Sequence, residues 1–365
     1  MNKILQRAPI LWKVRNCLRA QFFKSLGHIL DIKDTRDLLL ATLTGYTKSI
    51  SDHYFASALL AEKPYRDVGR IPSLTAPTKT AIFVTGRFRS GSTLVWNLFR
   101  NLPGFTAYYE PLNERRWFDS RTRGDTLDET HKNVENYWAE YDDLDVLGDY
   151  YQVRWNCRDL YMDETAWDES LKKYIQILVD RAPNQPVLQF NRIDFRLPWI
   201  RKHFPAAKIV HLYRHPRDQW CSFLGQPFRF PSSERLHNFA TYDVFYLIVW
   251  ANDLKHHFPF LNMNPNSHPY ELFYQIWKLS YLFGKKYADY SLSFETLVTE
   301  PKKALDSLFG FLKISANVDD ITHLIVAPPL NKWKDYASVE WFERIEVRVD
   351  EQINRYFSED SAASG

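Results

Sequence analysis

TAIFVTGRFRSGSTLVWNLFRN, residues 80 to 101, runs from an apolar strand through a glycine-containing turn directly into an amphipathic helix. Such a junction aims several backbone N–H groups and the positive end of the helix dipole at one point, so it suits an anion. Gly86 and Gly91 stand where the phosphate loops of kinases and ATPases have their two glycines, and Thr93 where they have a final Ser or Thr. The residue before Thr93 is Ser92, not the lysine that holds the β and γ phosphates, which argues against ordinary ATP chemistry. Arg87 and Arg89 return positive charge to the turn, and Ser90, Ser92 and Thr93 add hydroxyl donors.

Outward from this loop, short β-rich runs alternate with helical patterns. The runs are AIFVT at 81–85, FTAYYE at 105–110, PVLQF at 186–190, KIVHLY at 208–213 and YSLSF at 290–294. Helices are expected over 92–102, 170–181, 217–224, 242–258, 272–287 and 301–312, the last opened by Pro301 at a favoured first-turn position. Apolar strands separated by helices imply an α/β fold, a central parallel sheet flanked by helices. Two segments, about 111–168 and 225–270, interrupt the alternation and read as helical or loop insertions over the edge of the sheet where ligands bind.

The second chemistry-bearing stretch is KIVHLYRHPRDQWCSF at 208–223. A buried strand ends in Arg214, and the following helix carries Ser222 on its second turn, so both side chains reach toward one anion. An ATPase strand at this place would end in an acid that helps hold Mg²⁺. Two anion sites, each at the carboxyl end of a parallel strand, suggest a nucleotide with phosphates at two places. The rival readings are a P-loop kinase-like phosphotransferase with an altered loop and a noncatalytic nucleotide-binding protein.

Together these residues resemble the sulfotransferases that use 3′-phosphoadenosine 5′-phosphosulfate (PAPS), and the fold implied is P-loop-like. Arg89, Ser90, Gly91, Ser92 and Thr93 are similar to the 5′-phosphosulfate loop of that family, and Arg214 and Ser222 match its 3′-phosphate pair in spacing. SFETLVTEPKKALDSLFGFL at 293–312 is similar to a further family stretch. NKWKDY at 331–336 is similar to the late basic loop that closes over the nucleotide, which implies Lys332 or Lys334 as another 3′-phosphate contact. The resemblance spans about 79–340 and implies PAPS as donor, a hydroxyl acceptor and no metal.

A hydroxyl that attacks sulfur must lose its proton, so a base is required. Glu110 ends the second strand in AYYEPLN, a segment similar to the YEP stretch of carbohydrate sulfotransferases, while QFNRIDFR at 189–196 lacks the histidine that phenol and steroid sulfotransferases carry there. That implies Arg89 and Glu110 as the catalytic pair and a glycan, glycolipid or small natural product as acceptor. The competing reading makes Glu110 a strand-end cap or a partner of Arg115. His211 reads as packed core and His215 as a neighbour of the site. Trp117, Trp138 and Trp155 read either as core cover or as stacking platforms for sugar rings.

Composition sets the frame around these motifs. A formal charge of +3 is too small to imply nucleic acid. Three dispersed cysteines form no CxxC pair, so neither a zinc knuckle nor a disulfide framework is indicated. Every apolar run falls short of the roughly 20 residues that span a bilayer. Residues 1–75 are expected to form a helical extension whose first part interleaves Lys3, Arg7, Lys13, Arg15 and Arg19 with apolar positions. This basic amphipathic helix reads as a packing helix, a membrane-surface helix or a transit peptide. The main domain is expected at 79–357 and a disordered tail at 358–365, in a cytoplasmic protein with peripheral membrane contact through the N-terminal helix as a further option.

Overall fold

A computed structural model describes residues 79–128, 130–225 and 228–363, with side-chain detail to 358. The expected N-terminal extension and its basic helix lie outside the described residues.

All five expected strands form: β1 Ile82–Thr85, β2 Phe105–Tyr109, β3 Gln185–Phe190, β4 Lys208–Tyr213 and β5 Tyr290–Ser293. They pair in parallel in the order β2-β3-β1-β4-β5. β1 is central, with Ile82 beside Val187 on one side and Lys208 on the other. Its four residues are all buried, which is why it reads as a continuous apolar run instead of an alternating one.

Helix α1, Ser92–Arg100, packs on β1, β2 and β3 through Val95, Trp96, Leu98 and Phe99, and Trp96 donates its indole N–H to the Ala107 carbonyl at 2.7 Å. α2 spans Glu169–Arg181, capped by the Asp168 carboxylate, which accepts from the Leu171 N–H at 2.9 Å. α3, Leu197–His203, and α4, Pro216–Leu224, follow β3 and β4. α5, Leu247–Leu254, is shorter than the helix expected over 242–258. Both Asp243 oxygens accept the N–H groups of Leu247 and Ile248, which sets the start of the helix there.

α6, Pro269–Tyr287, packs on β4, followed by α7, Phe294–Thr299, α8, Pro301–Leu312, and the short α9, Asp319–Thr322. α10, Val339–Ala363, lies against α6 through Phe342, Ile345, Val349 and Ile353. It carries helix into the segment expected to be disordered, because a helix already nucleated on a packed face extends residue by residue at little cost. Among the described residues no helix is long and apolar enough to cross a membrane.

Candidate active site

Every strand delivers a residue to one cavity at its carboxyl end. The turn after β1 supplies Arg89, β2 ends at Glu110, β3 at Asn191 and Arg192, β4 at Arg214, and β5 at Phe294. The two interrupting segments close the sides, with Asn113, Glu114, Asp128 and His131 from the first and Val244, Phe245 and Tyr246 from the second. The cavity volume is about 840 Å³, within the range of small-molecule sites.

One end of the cavity is cationic. Gly91 adopts φ 94, and no side chain caps α1 and no acid stands in its first turn, so its leading N–H groups face the cavity with the full helix dipole. Arg89, itself at φ 66, donates from Nε to Ser222 Oγ at 3.2 Å and from Nη1 to Asp128 Oδ2 and Thr130 Oγ1 at 3.3 Å. Arg214 donates from Nη1 to the Arg89 carbonyl at 3.2 Å, and its guanidinium lies 4.6 Å from the Phe294 ring centre. The Arg214 Nε is buried without a partner. Burial lowers the Arg214 pKa from its ordinary value, an effect opposed by Asp218 and Glu295. Ser92, Thr93 and Lys332 complete this end.

The same cavity is lined by Glu110, 8% exposed and at φ 37. Its Oε1 accepts from Asn191 Nδ2 at 2.5 Å, and its Oε2 from Asn113 Nδ2 at 2.6 Å and from Arg192 Nη1 at 3.5 Å. The partner of Glu110 is therefore Arg192, not Arg115, whose Nη1 donates to the Thr126 carbonyl. These three donors hold the carboxylate in place where it lines the cavity. Thr93, in the loop, and Tyr109, beside Glu110, share a hydrogen bond of 3.1 Å.

Of the residues singled out in the sequence, Arg89, Gly91, Ser92, Thr93, Arg214, Ser222, Lys332 and Glu110 come together in this cavity. Arg87, Ser90 and Lys334 do not. Arg87 turns into the interior, 3.6 Å from Asp194 and over the Trp250 ring at 4.3 Å, where the carboxylate and the indole face offset the burial of its charge. Ser90 is fully buried with its Oγ unpartnered. Lys334 is exposed, 5.7 Å from the Trp333 ring centre. Trp155 is core, whereas Trp117 is buried yet lines the cavity. His211 is core, and burial takes its imidazole down to about 3. His215 stacks on Trp333 at 6.2 Å, outside the cavity.

Asn191, Arg192, Glu114, Tyr246 and His131 were not anticipated. For the first two a signal existed, since NR follows β3 directly, where strands deliver their functional groups. Burial pulls the His131 imidazole down to about 4 despite Asp128 beside it. Among the described residues no group of three His, Cys, Asp or Glu side chains could hold a metal.

Solved structures with similar chains include sulfotransferase STF9 from Mycobacterium avium, at 13% identity and a TM-score of 0.41 over 75% of this chain and 76% of that one. Mouse sulfotransferase SULT7A1 complexed with PAP gives 12% and 0.38 over 78% and 89%. The sulfotransferase domain of the Synechococcus PCC 7002 olefin synthase gives 16% and 0.35 over 78% and 98%. No curated protein matches the chain. The model of the sulfotransferase family matches residues 81–320, from β1 into the start of α9, and the chain belongs to that family.

Proposed function

We propose that the protein transfers a sulfuryl group from PAPS to a hydroxyl of a carbohydrate or glycoconjugate. The observation that carries this reading is the join between two cationic sites in one cavity, Arg89 to Ser222 and Arg214 to the Arg89 carbonyl, each at 3.2 Å, with Glu110 lining the same cavity. A nucleotide with phosphates at two places matches that pair. The fit is supported by Arg214, which lines the cavity beside Arg89, and by the uncapped N-terminus of α1.

The α1 amides with Ser92 and Thr93 would hold the 5′-phosphate, and Arg214, Ser222 and Lys332 the 3′-phosphate. Glu110 takes the acceptor proton as the acceptor oxygen bonds to sulfur and the sulfur–oxygen bond to the phosphate breaks. Arg89 offsets the charge that collects on the departing phosphate oxygen. Adenosine 3′,5′-bisphosphate and a sulfate ester are the products. Catalysis here rests on positioning and electrostatics, and an electrostatic contact of this kind is typically worth about 10² to 10³ in rate.

Calorimetry with adenosine 3′,5′-bisphosphate against ADP and Mg²⁺ tests the donor. Preference for the bisphosphate, lost in Arg214→Ala, is expected; preference for ADP with metal would favour the kinase-like rival. Transfer assays test the base, since Glu110→Gln should keep bisphosphate affinity and lose at least about 10²-fold in turnover.

A further inference from the structure

Three bulky residues with left-handed backbone line this one cavity: Arg89 at φ 66, Glu110 at φ 37 and Tyr246 at φ 64. Such conformations are costly for side chains of this size and persist where the surroundings fix them, commonly at functional sites. The first two already have roles in the proposed reaction. Tyr246 has none, yet it is held with equal care.

The Tyr246 hydroxyl donates to Glu114 Oε1 at 2.8 Å, and Arg192 Nη2 donates to Glu114 Oε2 at 2.5 Å. The same guanidinium reaches Glu110 Oε2 at 3.5 Å and lies over Phe88 at 5.1 Å and Tyr246 at 6.0 Å. Arg192 is thus a rigid fork that spans two carboxylates and fixes their separation. Its own side chain is 2% exposed, whereas that of Glu114 keeps 43% of its surface open. Each Glu114 oxygen retains a lone pair after its protein partner, and the tyrosine oxygen can accept as well.

We propose that Glu114 and Tyr246 form a second hydroxyl-recognition point, so that the acceptor is a polyol with one hydroxyl reacting at Glu110 and another bound at Glu114. This rests on the sulfuryl-transfer reading above and narrows its acceptor. A monohydric alcohol would leave the remaining lone pairs of Glu114 without a donor from the acceptor, and sites built to bond a hydroxyl discriminate against compounds that lack it.

The experiment measures kcat/KM for methyl hexosides and their monodeoxy derivatives in wild type, Tyr246→Phe and Glu114→Gln, with bisphosphate affinity measured alongside. In wild type one deoxy position should cost about tenfold or more. Both variants should lose most of that discrimination, falling about tenfold on the full hexoside and little on that deoxy derivative, with bisphosphate affinity unchanged. Equal losses on both acceptors would mean a merely structural role and overturn the proposal. So would a wild type that binds the bisphosphate but transfers to none of the hexosides. Failure of wild type to bind the bisphosphate would refute the donor instead, so the two readings fail separately.

Discussion

Replacing Gly91 by alanine drives a methyl group into the side of Phe294. A Cβ built at this position would lie 2.3 Å from Cδ2 and 2.5 Å from Cε2 of that ring, closer than real Cβ atoms come. Phe294 is 4% exposed and opens α7, so it has little room to retreat. Overpacking of this kind costs about 1–3 kcal/mol, and the backbone at φ 94 adds roughly 1–2 kcal/mol for a residue with a side chain. A total of about 2–5 kcal/mol is a large share of the 5–15 kcal/mol that holds a typical domain together. The displaced ring also carries Arg214, 4.6 Å from its centre, so bisphosphate affinity should fall with stability. Urea unfolding and calorimetry read the two effects. Phe294→Leu in the Gly91→Ala background should recover at least about 1 kcal/mol relative to the sum of the single changes, because it removes the clashing ring edge. Gly91→Ala with an unchanged midpoint and unchanged affinity would refute the reasoning, as would strict additivity in the double variant.

Three further outcomes follow from the same geometry. Lys332→Ala should weaken bisphosphate binding several-fold and reduce its salt dependence, whereas Lys334→Ala, whose side chain is exposed beside Trp333, should change neither. Gly284→Ala places a Cβ 2.3 Å from the His211 ring, buried at 2% exposure, and should lower the unfolding midpoint by about 1–3 kcal/mol equivalent. His268 Nδ1 accepts the Tyr270 N–H at 3.0 Å and caps α6, and burial takes this imidazole from 6.5 down to about 4. The unfolded chain therefore binds the proton first, and the contribution, complete above pH 6.5, is lost as pH falls toward 4, about 2 kcal/mol of it by pH 5. His268→Asn, an acceptor at any pH, should flatten that part of the urea-derived stability profile.

The inner strands were legible because a parallel sheet buried on both faces leaves largely apolar runs such as IFVT and KIVHLY, whereas β5, with only Leu292 buried, was marked by the helical patterns on either side. α10 was not, because IEVRV at 345–349 alternates apolar and charged residues with a period of 2 while Phe342, Ile345, Val349 and Ile353 repeat at helical spacing. The two patterns compete locally, and packing against α6 selects the helix. The site divides the same way. Arg89, Arg214, Ser222 and Glu110 stand at strand ends or in the turns and helix that follow, places that sequence order reveals. That Arg87 faces Asp194, and that Arg192 instead of Arg115 serves Glu110, depends on tertiary neighbours, the second on the pairing of β2 with β3.

The hydrogen bond from Arg214 to the Arg89 carbonyl fixes the spacing between the two proposed phosphate seats. With the proposed donor, both seats grip the part of the molecule that survives the reaction unchanged. The bonds that recognise the loaded carrier then hold the spent carrier just as firmly, and uniform binding of this kind does nothing for the chemical step. Departure of the bisphosphate is accordingly expected to set the pace of turnover, with free bisphosphate a strong competitor of the donor. A modest weakening at Lys332, on the rim of that grip, would then make each cycle faster at saturating donor while making the enzyme less thrifty at low donor.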